Sequence, residues 1–174
     1  MKYFVKFFVI TILFFVSTTA NAEQKIVVID MKYILNLSDA GRGAQDFLKK
    51  TFTDNQSKFA DEEKKLKEEE QKLLGKKTVI SKEDYKKESD ALRKKVLKYQ
   101  NDRRTALDDI AKKRASAREQ LLNKIDPILD TYIQENGISI VLDKKYTAGG
   151  STDIDITKTI VEKLNKVLPK IKLK

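Results

Sequence analysis

The chain has no cysteine, no histidine and no tryptophan, and only two prolines and two methionines among 174 residues. Without His or Cys, the usual nucleophile–base pairs, thiol chemistry and zinc sites lack their base or their ligands. Carboxylates are plentiful, but most are interleaved with lysine, as in Glu62-Glu63-Lys64-Lys65, which is the pattern of a solvated helix face. This inventory argues against an enzyme, and no cofactor or metal is expected. Glycine is scarce too. Gly41-x-Gly43 has two of the glycines of a phosphate-cradling loop but lacks the third and the strand-to-helix turn, so a nucleotide site is not expected there.

Long apolar runs are missing except for one, Phe7 to Val16. It follows Lys2 and Lys6 and precedes the small-x-small triplet Ala20-Asn21-Ala22, the three parts of an export signal. It is shorter than the ~20 apolar residues of a membrane span, and Ser17-Thr18-Thr19 interrupts it. Residues 1–22 therefore read as a cleaved leader, with the mature chain starting at Glu23. Disulfides are permitted in an exported compartment and this chain has none, so its stability has to come from packing or assembly. Five of the eight phenylalanines leave with the leader, and Phe47, Phe52 and Phe59 remain.

Most of what remains is helical hairpin. Phe52, Phe59, Leu66 and Leu73 fall seven residues apart and line one stripe of a first helix over 44–74. Gly75 ends it, Ser81 restarts helix with Glu83 and Asp84 behind it, and Thr78-Val79-Ile80 is left at the tip. Those three read as a loop packed on the arm ends, with an exposed apolar fingertip as the alternative. The return helix carries Tyr85, Leu92, Val96, Tyr99, Ala106, Ile110, Ala117, Leu121, Ile125 and Ile128 at helical steps, a seam richer toward the base. Intervening seam positions such as Asn55 and Glu62 are polar, so the pair should be loosely packed. Asp126-Pro127 predicts a kink or a restart capped by Asp126, and Asn136-Gly137 an end.

Two short apolar strands flank the hairpin. Ile26, Val27, Val28 and Ile29 form the first, and Ile138, Ile140, Val141 and Leu142 lie in the second. Between strand and arm, Tyr33, Ile34, Leu35 and Leu37 make an apolar knot, and Ser38 to Gly43 a loop or a weakened first turn. Asp155 should cap a last helix, with Ile156, Ile160, Leu164, Val167 and Leu168 on one face. The fold expected is mainly α with a small β body over 23–43 and 137–174, and an arm over 44–136. A body of some 60 residues excludes little water. Its strands should therefore complete one another's sheet in a cyclic homo-oligomer, with the hairpins projecting outward.

The leader, the strand Lys25-Ile26-Val27-Val28-Ile29-Asp30, the charged hairpin, Ile138-Ser139-Ile140-Val141-Leu142-Asp143 and the closing Asp155-Ile156-Thr157 helix together resemble the Skp/OmpH family of periplasmic chaperones. The resemblance spans essentially the whole mature chain. It implies a homotrimer in the periplasm, with a small β body and three tentacle-like hairpins enclosing a cavity. It also implies a holdase that works without ATP on unfolded outer-membrane β-barrel proteins.

Charge suggests where such clients would touch. The formal net charge is +10, and 76–124 holds sixteen basic against eight acidic residues while 44–74 is near balance. Lys76, Lys77, Lys86, Lys87, Arg93, Lys94, Lys95, Arg103, Arg104, Lys112, Lys113 and Arg114 are the candidate contacts for acidic clients or for an anionic lipid or lipopolysaccharide surface. A solubilising face with i to i+4 pairs is the plainer account of any one of them. Phe47, Phe52, Phe59, Tyr85 and Tyr99 are candidates for apolar contact, or simply seam. Ile26 to Ile29, with Ile138, Ile140, Val141 and Leu142, are the oligomerisation candidates. Two rival functions are a basic nucleic-acid hairpin, opposed by export and by the lack of a stacking aromatic array, and a structural spacer of the envelope that binds no client.

Overall fold

The computed structural model describes residues 24–173, so the expected leader lies outside the described residues. Five elements carry the architecture in chain order, with a sixth at the C-terminal side. Strand β1 (Lys25–Ile29) leads into helix α1 (Met31–Leu37), then α2 (Asp39–Lys76) and α3 (Lys82–Asn136), strand β2 (Ile138–Asp143) and helix α4 (Thr157–Val167). Two 3-10 turns, Lys144–Tyr146 and Thr152–Ile154, bridge β2 to α4. At ~1.5 Å per residue the 38 residues of α2 reach about 57 Å and the 55 of α3 about 82 Å.

β1 and β2 pair in parallel, with Ile26 beside Ile140, Val27 beside Val141 and Val28 beside Leu142. Cross-strand partners share a face. Val27 and Ile29 therefore point into the core with the buried Ile34, Ile125, Ile138, Ile160 and Leu164. The opposite face carries Ile26, Ile140 and Leu142, all partly exposed, and Val28, which is buried. Of the two apolar strands, Val27, Val28, Ile29 and Ile138 are buried. Along its other edge β1 meets the α4 approach, where Val28 bridges Asp155 and its carbonyl accepts from the Ile156 N–H at 2.9 Å. Among the described residues β2 is left as the open edge of the two-stranded sheet.

Asp30 caps α1, accepting from the Tyr33 N–H at 2.7 Å. Of the expected apolar knot only Ile34 is fully buried, while Tyr33 and Leu37 face outward. The chain then re-enters helix at Asp39, five residues before Ala44. Ser38 is fully buried and its hydroxyl accepts from the Gly41 N–H, so the serine supplies the cap that the glycines were expected to weaken. Gly41 is needed for a different reason. A Cβ there would lie 2.3 Å from the Leu35 carbonyl oxygen, whereas one at Gly43 would meet nothing within 4 Å.

Two other local expectations change. α2 runs through Gly75 to Lys76, ending with Lys77 still in right-handed helical geometry, because a glycine costs a helix only about 1 kcal/mol and need not stop it. α3 runs unbroken through Pro127, so Asp126 caps nothing. The proline leaves one carbonyl a turn earlier without its donor, and the helix continues on both sides of it. Gly137 does end α3, in left-handed geometry at φ 61°.

The helix start at Asp155 is nearly as expected. α4 begins at Thr157, and the Asp155 carboxylate accepts from the Thr157 N–H at 2.9 Å and from the Lys144 ammonium at 2.9 Å. Burial pushes this carboxyl up, but the bonds from Lys144 and Thr157 outweigh it and hold it down at about 2. Ile156, Ile160 and Leu164 enter the core, and Val167 turns outward.

Two consequences can be measured by urea unfolding. Gly41→Ala should lower stability by about 1–3 kcal/mol, since the Leu35 backbone has to move, while Gly43→Ala should be neutral or stabilising by up to about 1 kcal/mol. Equal effects would mean that the close approach to Leu35 is unimportant. Asp155 has a lowered folded pKa, so its contribution is complete above about pH 4 and fades as pH falls toward 2. Asp155→Asn should therefore cost about 1 kcal/mol near neutrality, allowing for solvent screening, with the difference from the parent vanishing near pH 2.

Candidate functional site

The arm is held by a sparse seam. Phe59, Leu73, Tyr99, Ile110 and Ala117 are buried along the arm, while Leu121 and Ile125 at its base join the core of the body. Phe59 and Tyr99 meet edge to face, ring centres 5.9 Å apart at 73°. The Tyr99 hydroxyl donates to Glu63 at 3.3 Å. The bond and charge of Lys67, then the tyrosine hydroxyl, hold the Glu63 carboxyl below the usual carboxylate range.

Phe52 sits at a seam position by sequence spacing yet is 47% exposed. Leu107, which lines the same groove, is 51% exposed, so two large apolar groups lie open beside the aromatic pair. Tyr85 is half-buried, and Phe47 is exposed beneath the Lys113 ammonium, 5.9 Å from the ring centre. At the tip Val79 is 79% exposed and packs on neither arm, although Ile80 is half-buried. The tip thus follows the fingertip alternative at Val79.

Two grooves open on one side of the arm. One, of about 640 Å³, lies toward the tip and includes Leu66, Leu73, Tyr85, Leu92 and Val96. The other, of about 400 Å³, lies toward the base and includes Phe52, Phe59, Ala106 and Leu107. Glu63, Tyr99 and Arg103 line both. This track was not among the sequence candidates as a unit, although its aromatics were. The signal available was that Phe52 and Leu107 are large apolar residues with polar neighbours.

The twelve basic candidates do not converge on one surface. They occur as neighbours in sequence, and neighbours on a helix point about 100° apart, so each cluster on α3 winds around it, while Lys76 and Lys77 lie at the end of α2. Lys76 pairs with Glu88 at 2.9 Å and Lys95 with Glu69 at 2.6 Å. Lys113 pairs with Asp109 at 2.7 Å, and Arg104 donates to Asn101 at 2.9 Å. Among the described residues Lys77, Lys86, Lys87, Arg93, Lys94, Arg103, Lys112 and Arg114 have no carboxylate within 4.0 Å. Arg93 and Arg103 stand on the grooves. Also among the described residues, no cluster of acidic side chains is arranged to hold a metal, and no helix is long and apolar enough to cross a membrane.

Residues 25–164 match the family model described as outer membrane protein (OmpH-like). The chain belongs to the OmpH-like family. This is a chaperone family and not an enzyme family. A Skp-like protein of Pseudomonas aeruginosa is 25% identical over 171 residues, covering 96% of this chain and 99% of the relative. A crystal structure from Caulobacter crescentus CB15, described as OmpH-like, superposes with a TM-score of 0.79 at 17% identity over 90% of this chain and 92% of that one. The OmpH-like fold of long helices on a small two-stranded sheet is therefore shared across most of the chain.

The aromatic pair should be the main fastening of the mid-arm. A double-mutant cycle of Phe59→Leu and Tyr99→Leu, followed by thermal unfolding of the helical signal, should give a coupling of about 0.5–1.5 kcal/mol. Additive losses would show that the rings contribute only their separate burial.

Proposed function

We propose that this OmpH-like protein is an ATP-independent periplasmic holdase. It takes up unfolded outer-membrane β-barrel proteins between the arms of a homotrimer and keeps them from aggregating in transit to the outer membrane. The observation that carries this reading is the arm: helices of about 57 and 82 Å standing off a small core, with Phe52, Leu107 and Val79 left in solvent. A strut gains nothing from exposed aromatic and aliphatic groups, whereas a holdase needs many weak apolar contacts. Enclosed together, such contacts sum through effective concentration into retention.

Assembly is supported by the sheet. β2 presents an unpaired edge, and Ile26, Ile140 and Leu142 form an apolar face beside it. An exposed edge with an apolar face is a surface that another copy covers. Three copies would gather three arms about one axis. The unpaired cations of α3 then give the arms a positive field toward acidic segments of a client, and the same field suits an anionic lipid or lipopolysaccharide surface.

Light scattering tests both parts. The mature protein should have a mass near three chains, and it should suppress the turbidity of a urea-unfolded outer-membrane barrel on dilution, stoichiometrically and with no nucleotide present. A stable monomer removes the assembly. Unaltered client aggregation removes the holdase and leaves the envelope spacer.

A further inference from the structure

The two grooves of the arm are continuous. On α2, Phe52, Gln56, Glu63, Lys67, Glu70 and Leu74 recur at steps of three, four or seven and so lie along one stripe. At ~1.5 Å per residue, Phe52 to Leu74 spans about 33 Å. An extended chain of about ten residues covers the same distance at ~3.3 Å each. About ten residues is also the length of a strand that crosses the bilayer in a barrel.

The lining fits such a segment in kind as well as in length. The Phe59–Tyr99 pair forms an apolar floor, and Phe52, Leu107 and Leu74 stand half-exposed along it. Asn55, Gln56, Ser89 and Gln100 line the track and make no side-chain hydrogen bond among the described residues. Their donors and acceptors are free for a backbone laid beside them. Glu63 is paired with Lys67 at 2.8 Å and also feels the charge of Arg103, and Glu70 is the second carboxylate on the track. Lys67, Arg93 and Arg103 against Glu63 and Glu70 leave one positive charge in excess, which favours a segment with acidic residues on its polar edge.

We propose that this track binds one amphipathic β-strand segment of an unfolded client: about ten residues in extended form, apolar at alternate positions, with acidic groups on the other edge. Alternate apolar side chains would lie on Phe52, Leu107 and the ring pair, and the backbone amides would meet Asn55, Gln56 and Gln100. The assignment rests on the holdase reading and makes it specific. Each arm selects a barrel strand by its length and alternation, before any strand pairing has occurred.

The test uses the full mature protein and two fluorescein-labelled peptides of about ten residues and identical composition, one alternating Val or Tyr with Glu or Ser, the other with its apolar residues in one block. Fluorescence anisotropy should show the alternating peptide bound about tenfold more tightly. The triple variant Phe52→Ser, Leu74→Ser, Leu107→Ser should remove that preference. The control Leu97→Ser should leave it intact, because Leu97 is about as exposed as Leu107 but lies about 80° around α3 from Leu107 and about 120° from Arg103. If the triple variant loses helicity, Leu107→Ser alone carries the comparison. Equal binding of the two peptides, or equal losses in groove and control variants, overturns the track. With client turbidity still suppressed by the parent protein, that outcome leaves the holdase standing. Should the parent fail to suppress turbidity, the holdase falls, and the peptide preference alone then decides the track.

Discussion

The parallel pairing of β1 with β2 is the constraint on which the rest of the structure depends. Antiparallel strands can be joined by a tight turn, but parallel ones need a connection that carries the chain back to the end from which it started. Here the returning connection is the entire hairpin. Lys25 and Ile138 sit beside each other in register although the whole arm separates them in sequence. Such a closure is costly in chain entropy unless the intervening residues are already ordered, and two long helices that order one another meet that condition. The arm is therefore the device that lets a two-stranded sheet exist.

The body's packing follows from that sheet. A two-stranded sheet has too little area to form a core alone, so α1 and α4 close over one face, and the bases of α2 and α3 complete it through Ala40, Leu121 and Ile125. Among the described residues the second face has no such cover beyond Val28, and Ile26, Ile140 and Leu142 stay exposed. Asp155 joins two of these jobs, since its backbone bridges β1 while its carboxylate holds both Lys144 and the start of α4. The core and the candidate assembly face are thus opposite sides of the same ten or so backbone positions.

The legible parts of the sequence were those whose cause is local or periodic. Phe59, Leu73, Ile110, Leu121 and Ile125 were readable because a helix repeats every 3.6 residues and a buried stripe must follow it. Ser81 was readable as a cap because its partner, the Asp84 N–H at 3.0 Å, is three residues away. Gly41 was not, because its reason is a carbonyl on another helix. Nor was the continuity of α3 through Pro127, where the length of helix on either side outweighs one lost bond. The arm's basic residues could be counted but not placed: spacing showed an excess, and only the structure separated those engaged with Glu69, Glu88 and Asp109 from those that are free. The grooves were hidden for the same reason. Phe52 has seam spacing, and its exposure depends on what α3 sets opposite it.

The placement of Ile160 and Leu164 sets an order of events. Both are fully buried against Val27 and Ile29, more than one hundred residues away in sequence, whereas the arm's contacts join residues that meet as soon as the chain turns at its tip. Local contacts form quickly and distant ones slowly. A chain appearing from its N-terminal side would therefore build its arm first and hold β1 uncovered until α4 arrived. For that interval the protein itself carries an unpaired apolar strand beside a finished arm, the kind of exposed edge that invites aggregation.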